Sequence, residues 1–140
     1  LIATVVQDIR DQIDNSRIKL QYNKTEGIIF LVRADKPRLV QVISNLLSNS
    51  IKFTKEGMIS VNLEMKENQA VVAVKDTGHG ISADILPKLF SKFTTKSEHG
   101  VGLGLFICKT IVEAHGGTIW AENNKEGKGA TFTFILPLEC

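Results

Sequence analysis

Residues 45–53 read Asn45-Leu46-Leu47-Ser48-Asn49-Ser50-Ile51-Lys52-Phe53, inside a longer run from Arg38 to Thr54. Apolar residues at Leu39, Val42, Ile43, Leu46, Leu47 and Ile51 have the spacing of an amphipathic helix. At about 100° per residue, Arg38, Gln41, Asn45, Asn49 and Lys52 share an arc of roughly 80° on another face. One helix therefore carries an apolar face for a core and a narrow stripe made mostly of amides. A solvated surface stripe is the plain alternative, but Asn serves it poorly because its amide competes with the backbone. Two Asn at i and i+4, with Lys at i+7, put oxygens and a cation within reach of one ligand. Magnesium takes oxygen ligands and phosphates take Lys.

The rest of the chain sets the bounds on that hypothesis. Its 140 residues suit one domain with one core, and 43% hydrophobic content is ordinary for a globular protein. With 17 basic and 15 acidic residues, bulk charge points to neither nucleic acid nor a membrane surface. No apolar run approaches the ~18 residues a membrane span needs. The start, Leu1-Ile2-Ala3-Thr4-Val5-Val6, has no basic leader and is expected to be a cut within a longer protein. Cys108 and Cys140 have no metal-ligand spacing, which suits a reduced cytosolic setting.

Working outward, Ile2, Val5, Val6, Ile9 and Ile13 predict a first helix over about 3–14. Strands are expected at 18–22 and 28–32, with a turn between them. Asp35 is a good N-cap for the Asn-rich helix, and Pro37 fits its first turn. A hairpin follows over 58–65 and 70–75, with Ile59, Val61, Leu63 and Met65 alternating on one side. Ser82 is expected to cap a short helix ending near Leu89. A polar loop spans 90–101, and a long helix runs over 102–115, closed by Gly116-Gly117. His115 at its end suits a cation beside the helix dipole. A last hairpin joins 118–122 to 131–136, and Trp120 is expected in the core. The sum is a two-layer α/β sandwich with a mixed, mostly antiparallel sheet covered by helices on one face.

Two glycine-rich stretches add chemistry. Asp76-Thr77-Gly78-His79-Gly80 follows a strand directly, so a carboxylate could accept a hydrogen bond from an exocyclic amine such as that of adenine. The glycines would let backbone approach a ligand, although D-x-G sequences also make ordinary Asx turns. Gly100-Val101-Gly102-Leu103-Gly104-Leu105 runs into a helix, where free N–H groups and the dipole favour phosphate. It matches neither the P-loop nor the dinucleotide fingerprint. Phe90 and Phe93 flank Ser91-Lys92 and pin a loop to the core. His79, His99 and His115 show no metal spacing.

In this order, the motifs resemble the catalytic ATP-binding domain of sensor histidine kinases, within the superfamily of type II topoisomerase, mismatch-repair and heat-shock chaperone ATPases. Asp35-x-x-Arg38-Leu39-x-Gln41-Val42-x-x-Asn45 through Thr54 resembles the N-box. Asp76 to Ile81 resembles the first glycine box, Phe90 and Phe93 the phenylalanine box, and Gly100 to Leu105 the second glycine box. Gly127-Lys128-Gly129-Ala130-Thr131-Phe132 resembles the closing glycine motif. The resemblance covers nearly the whole chain and implies a fold of the same two-layer kind, ATP and Mg2+ as ligands, and protein histidine kinase activity.

By position, it implies that Asn49 holds magnesium with help from Asn45, that Lys52 meets phosphate and that Phe53 lies against the base. Asp76 would read adenine N6, with Gly78, Gly80 and Ile81 shaping the base pocket and Thr131 supporting it. Gly100, Val101, Gly102, Leu103, Gly104 and Leu105 would close over the phosphates, with Lys92 and Lys96 as cationic contacts. The catalytic group would be Asn45, Asn49 and Lys52. The chain departs from the family in a short loop between Phe93 and Gly100, in Phe53 where Tyr is common, and in His79 within the glycine box. It has no H-E-x-x-x-P-like stretch, so the phosphoacceptor histidine is expected on an upstream dimerisation domain outside residues 1–140. The implied partners are that domain and a response regulator receiver domain, in a homodimeric full-length protein, with no nucleic acid. The domain is expected to be cytoplasmic and without membrane contact of its own, with membrane anchoring of the whole protein left open. A nucleotide-sensing switch or an ATPase of the same fold is the alternative.

Overall fold

The computed structural model describes residues 1–13, 17–27, 32–91, 104–125 and 127–138. Most of the strand expected at 28–32 lies outside them, as do Lys92, Phe93, Lys96, His99, Gly100, Val101, Gly102 and Leu103. The elements run α1 (Ile2–Arg10), β1 (Ile18–Lys24), α2 (Lys36–Phe53), β2 (Gly57–Lys66), β3 (Gln69–Asp76), a 3-10 turn (Leu86–Lys88), α3 (Gly104–Ala114), β4 (Thr118–Asn123) and β5 (Ala130–Pro137).

The five strands form one sheet in the order β1-β2-β3-β5-β4. β1 pairs in parallel with β2, and the other three pairings are antiparallel. A parallel neighbour needs a crossover, and α2 is part of the connection that supplies it. Glu67 and Asn68 both have positive φ, the conformation of the tight turn that matches strand twist. Alternation decides which face is covered. Ile59, Val61, Val72, Val74, Phe132, Phe134 and Leu136 point inward and are buried with Val42, Ile43, Leu46 and Leu47 of α2. Val5, Val6, Cys108, Ile111 and Val112 complete this layer from α1 and α3. The expected two-layer sandwich, with helices on one face, is the fold found.

Local readings need three corrections. The helix expected from Ser82 is a 3-10 turn with Ile85 at its N-cap position and no side-chain cap. Ser82 contributes its carbonyl instead, which accepts from the N–H groups of Ile85 and Leu86. Pro87 has no N–H with which to extend an α-helical ladder. Trp120, expected in the core, is 39% exposed, because Ile119 takes the inward position and alternation turns Trp120 outward. The third concerns His115. Its Nε2 accepts the Asp35 N–H at 3.0 Å, and its Nδ1 lies 2.7 Å from the Ile111 carbonyl. The ring is thus engaged at both nitrogens, as a strut from the end of α3 to the start of α2.

Candidate nucleotide site

The site is assembled from α2, the loop after β3 and the start of α3. Asp35 caps α2 by accepting the Arg38 N–H. The buried apolar face then fixes the rotation of the helix, so its amide stripe faces the entry of α3. Asn45 Nδ2 donates to the Gly104 carbonyl at 3.4 Å, and Asn49 Nδ2 donates to the Asn45 carbonyl at 3.0 Å. The nitrogen end of each amide is thereby engaged, which leaves Oδ1 as the acceptor end for a hard cation. Among the described residues, no cluster of three His, Cys, Asp or Glu side chains could hold a metal. The Oδ1 atoms of Asn45 and Asn49 are the acceptors of this stripe that could hold a metal ion. Lys52 is exposed one turn beyond Asn49.

Behind this stripe, Cys108 is buried, with Sγ 3.7 Å from the Val42 carbonyl. Burial pushes its thiol up to about 11, against smaller downward pulls from Asn45 and its own backbone. It is a packing group at neutral pH, not a nucleophile.

Asp76 ends β3 with its side chain in the interior. It is fully buried, and its Oδ1 accepts from Gly78 N at 2.9 Å and Ala130 N at 3.2 Å. Its Oδ2 is buried with no hydrogen-bond partner among the described residues, as are Ser50 Oγ and Thr54 Oγ1. A buried carboxylate oxygen without a donor is costly. It therefore fits a ligand that brings an N–H. Phe53 and His79 stand beside this loop, with ring centroids 5.3 Å apart and planes at 62°.

Two glycines here also have a local packing task. A Cβ on Gly78 would lie 2.2 Å from the Phe53 carbonyl, and one on Gly129 would lie 2.0 Å from the Asp76 carbonyl. Each lets two backbone segments touch, and those contacts aim Asp76. Among the described residues, a Cβ at Gly104 would meet nothing within 4 Å. Leu105 is half-buried against the core.

The structure thus brings Asn45, Asn49, Lys52 and Phe53 together on α2, and Asp76, Gly78, Gly80 and Ile81 together on the following loop. It does not bring Thr131 to Asp76. Thr131 pairs with Lys75 on the sheet face away from the helices, and its Oγ1 donates to Asn124 Oδ1 at 2.7 Å. The correction follows from alternation: Phe132, Phe134 and Leu136 face inward, so Thr131 must face outward. The group of this strand that reaches the Asp76 carboxylate is the backbone N–H of Ala130. Sequence reasoning also missed Asn123 and Asn124, which it read only as part of a turn.

Comparison with known proteins agrees with this fold. The profile of the histidine kinase-, DNA gyrase B-, and HSP90-like ATPases matches residues 34–140. The sensor protein KdpD of Clostridium acetobutylicum is 40% identical over 99% of this chain. The chain spans only 16% of KdpD. The nucleotide-free catalytic domain of histidine kinase ThkA superposes with a TM-score of 0.85 at 34% identity, covering 98% of this chain and 90% of that domain. ThkA in complex with the response regulator protein TrrA gives 0.82 at 31% identity, covering 99% of this chain and 39% of that one. Full-length ShkA in complex with AMPPNP gives 0.86 at 26% identity, covering 98% of this chain and 29% of that one. The chain belongs to the histidine kinase-, DNA gyrase B- and HSP90-like ATPase family, and its relatives there are sensor histidine kinases.

Proposed function

We propose that this chain binds Mg-ATP and presents the γ-phosphate to a histidine on a separate dimerisation domain. The observation that carries this reading is the split role of Asp76: two backbone N–H groups pin one oxygen, and the other is buried with no donor among the described residues. The adenine exocyclic amine is the donor that would complete it. Asn49 and Asn45 would hold magnesium, which supplies charge neutralisation at the phosphates when bound. Lys52 adds a mobile cation at the phosphate end of the same helix face. Phe53, with His79 packed against it, would flank the base. The AMPPNP bound by ShkA and the response regulator bound by ThkA support the same reading for a relative of both.

In the full-length protein we place this domain on the cytoplasmic side, in a homodimer whose receiver partner takes the phosphoryl group. Hydrolysis is the weaker reading, because Asn45 offers an amide where water activation needs a base. Calorimetry with ATP and magnesium tests the binding step directly. Saturable binding that weakens when EDTA removes the metal is expected. Absence of heat and of competition with AMPPNP would overturn the proposal.

A further inference from the structure

Asn123 ends β4, and none of the roles above uses it. Its Oδ1 accepts the Ile81 N–H at 2.8 Å, and its Nδ2 donates to the Ile81 carbonyl at 2.8 Å. One side-chain amide thus gives Ile81 the two-bond pairing that a neighbouring strand would give. Gly80, beside it, has φ +80°, and a Cβ there would sit 2.9 Å from Asn123 Oδ1. The next residue holds the other end of the same loop. Asn124 Nδ2 donates to the Asp76 carbonyl at 2.9 Å and to the Lys128 carbonyl at 2.9 Å. Its Oδ1 accepts from Thr131. Two successive amides therefore clamp both ends of the loop from Asp76 to Ile81.

We propose that Asn123, with Asn124, is a positioning residue that fixes the width of the base pocket and so its preference for adenine. The inference rests on the nucleotide reading above. Asn124 anchors the residue that would meet the exocyclic amine. Asn123 anchors the far wall, at buried Ile81. A loop held only at Asp76 could shift to accept a different base edge, whereas a loop held at both ends keeps one width and so favours the base that fits it.

The test compares the parent with Asn123→Ala and Asn123→Asp for affinity to Mg-ATP and Mg-GTP, and for melting temperature without nucleotide. Aspartate keeps the volume and the bond from Ile81 N–H, but it cannot donate to the Ile81 carbonyl. Both variants are expected to lose about tenfold in Mg-ATP affinity and about tenfold in the ATP-to-GTP ratio. A merely structural role would lower the melting temperature and leave that ratio at the parent's value, and such a result overturns the proposal. So does an Asn123→Asp variant that behaves as the parent, since space-filling would then suffice. If Asn123→Ala does not fold, Asn123→Asp carries the comparison; failure of both to fold would mark a folding determinant and also overturn it. A parent that does not bind Mg-ATP removes the nucleotide reading and this inference together. A parent that binds, with variants like it, removes only the inference.

Discussion

At Asp76, among the described residues, backbone N–H groups set the direction of a buried carboxylate. Its Oδ1 is fixed by Gly78 N and Ala130 N. In Asp76→Asn the amide oxygen would keep those two bonds, which forces Nδ2 into the place of Oδ2. An N–H would then face the N–H of an adenine amine. Affinity for Mg-ATP should fall by about 10- to 100-fold, the cost of an unmade bond in a buried site. The melting temperature should move little, because the pinned bonds survive. Calorimetry and thermal melts on the same preparation check this, and equal affinity in mutant and parent would remove Asp76 from base reading. Asp76, Asn45 and Asn49 were legible in sequence because their side chains are unusual for their positions. The Ala130 N–H was not, since a backbone donor leaves no mark on residue type. Thr131 was misplaced although the apolar alternation from Phe132 to Leu136 already turned it to the open face.

At the scale of elements, α2 and α3 are tied at both ends of the pair, with the Cys108 thiol on the Val42 carbonyl between them. His115, after α3, accepts the N–H of Asp35 before α2, and Asn45 donates to Gly104 at the start of α3. Gly116 takes φ +80°, and Gly117 N reaches back to the Val112 carbonyl, so α3 closes on a left-handed glycine and leaves the ring where α2 begins. His115→Ala should cost about 1 kcal/mol and lower the melting temperature by about 3–5 °C. Amide exchange should quicken in the first turn of α2. Affinity for Mg-ATP should stay within about twofold, because the tie at Asn45 remains. An unchanged melting temperature would refute the strut. The glycine pair that ends α3 is visible in the sequence, and so are the apolar stripes that make the sandwich. The strut is not, because it joins residues 80 positions apart and local spacing carries no record of a distant partner. The parallel pairing of β1 with β2 was hidden for the same reason.

At the scale of the whole molecule, α2 packs its buried face on the covered side of the sheet, so the sandwich sets where the amide stripe points and makes it a platform. What the platform lacks then matters as much as what it holds. The family's ATPases place Glu where this chain has Asn45, and an amide cannot take a proton from water. Of the histidines, His115 is engaged through both ring nitrogens, and His79 packs on Phe53. The chain spans 16% of its relative KdpD, so an acceptor on another domain is compatible with all of this. The chain alone should therefore release phosphate from radiolabelled ATP negligibly and retain no label on His79, His99 or His115. Adding a dimeric helical domain from the same parent protein should give label on that partner that is lost in acid and kept in alkali, as expected of phosphohistidine. In that transfer an imidazole nitrogen of the partner bonds to the γ-phosphorus, the bond to the bridging oxygen breaks, and ADP leaves. Rapid phosphate release by the chain alone would favour the ATPase. Tight nucleotide binding with no label on a competent partner would favour a switch that senses ATP without transferring it.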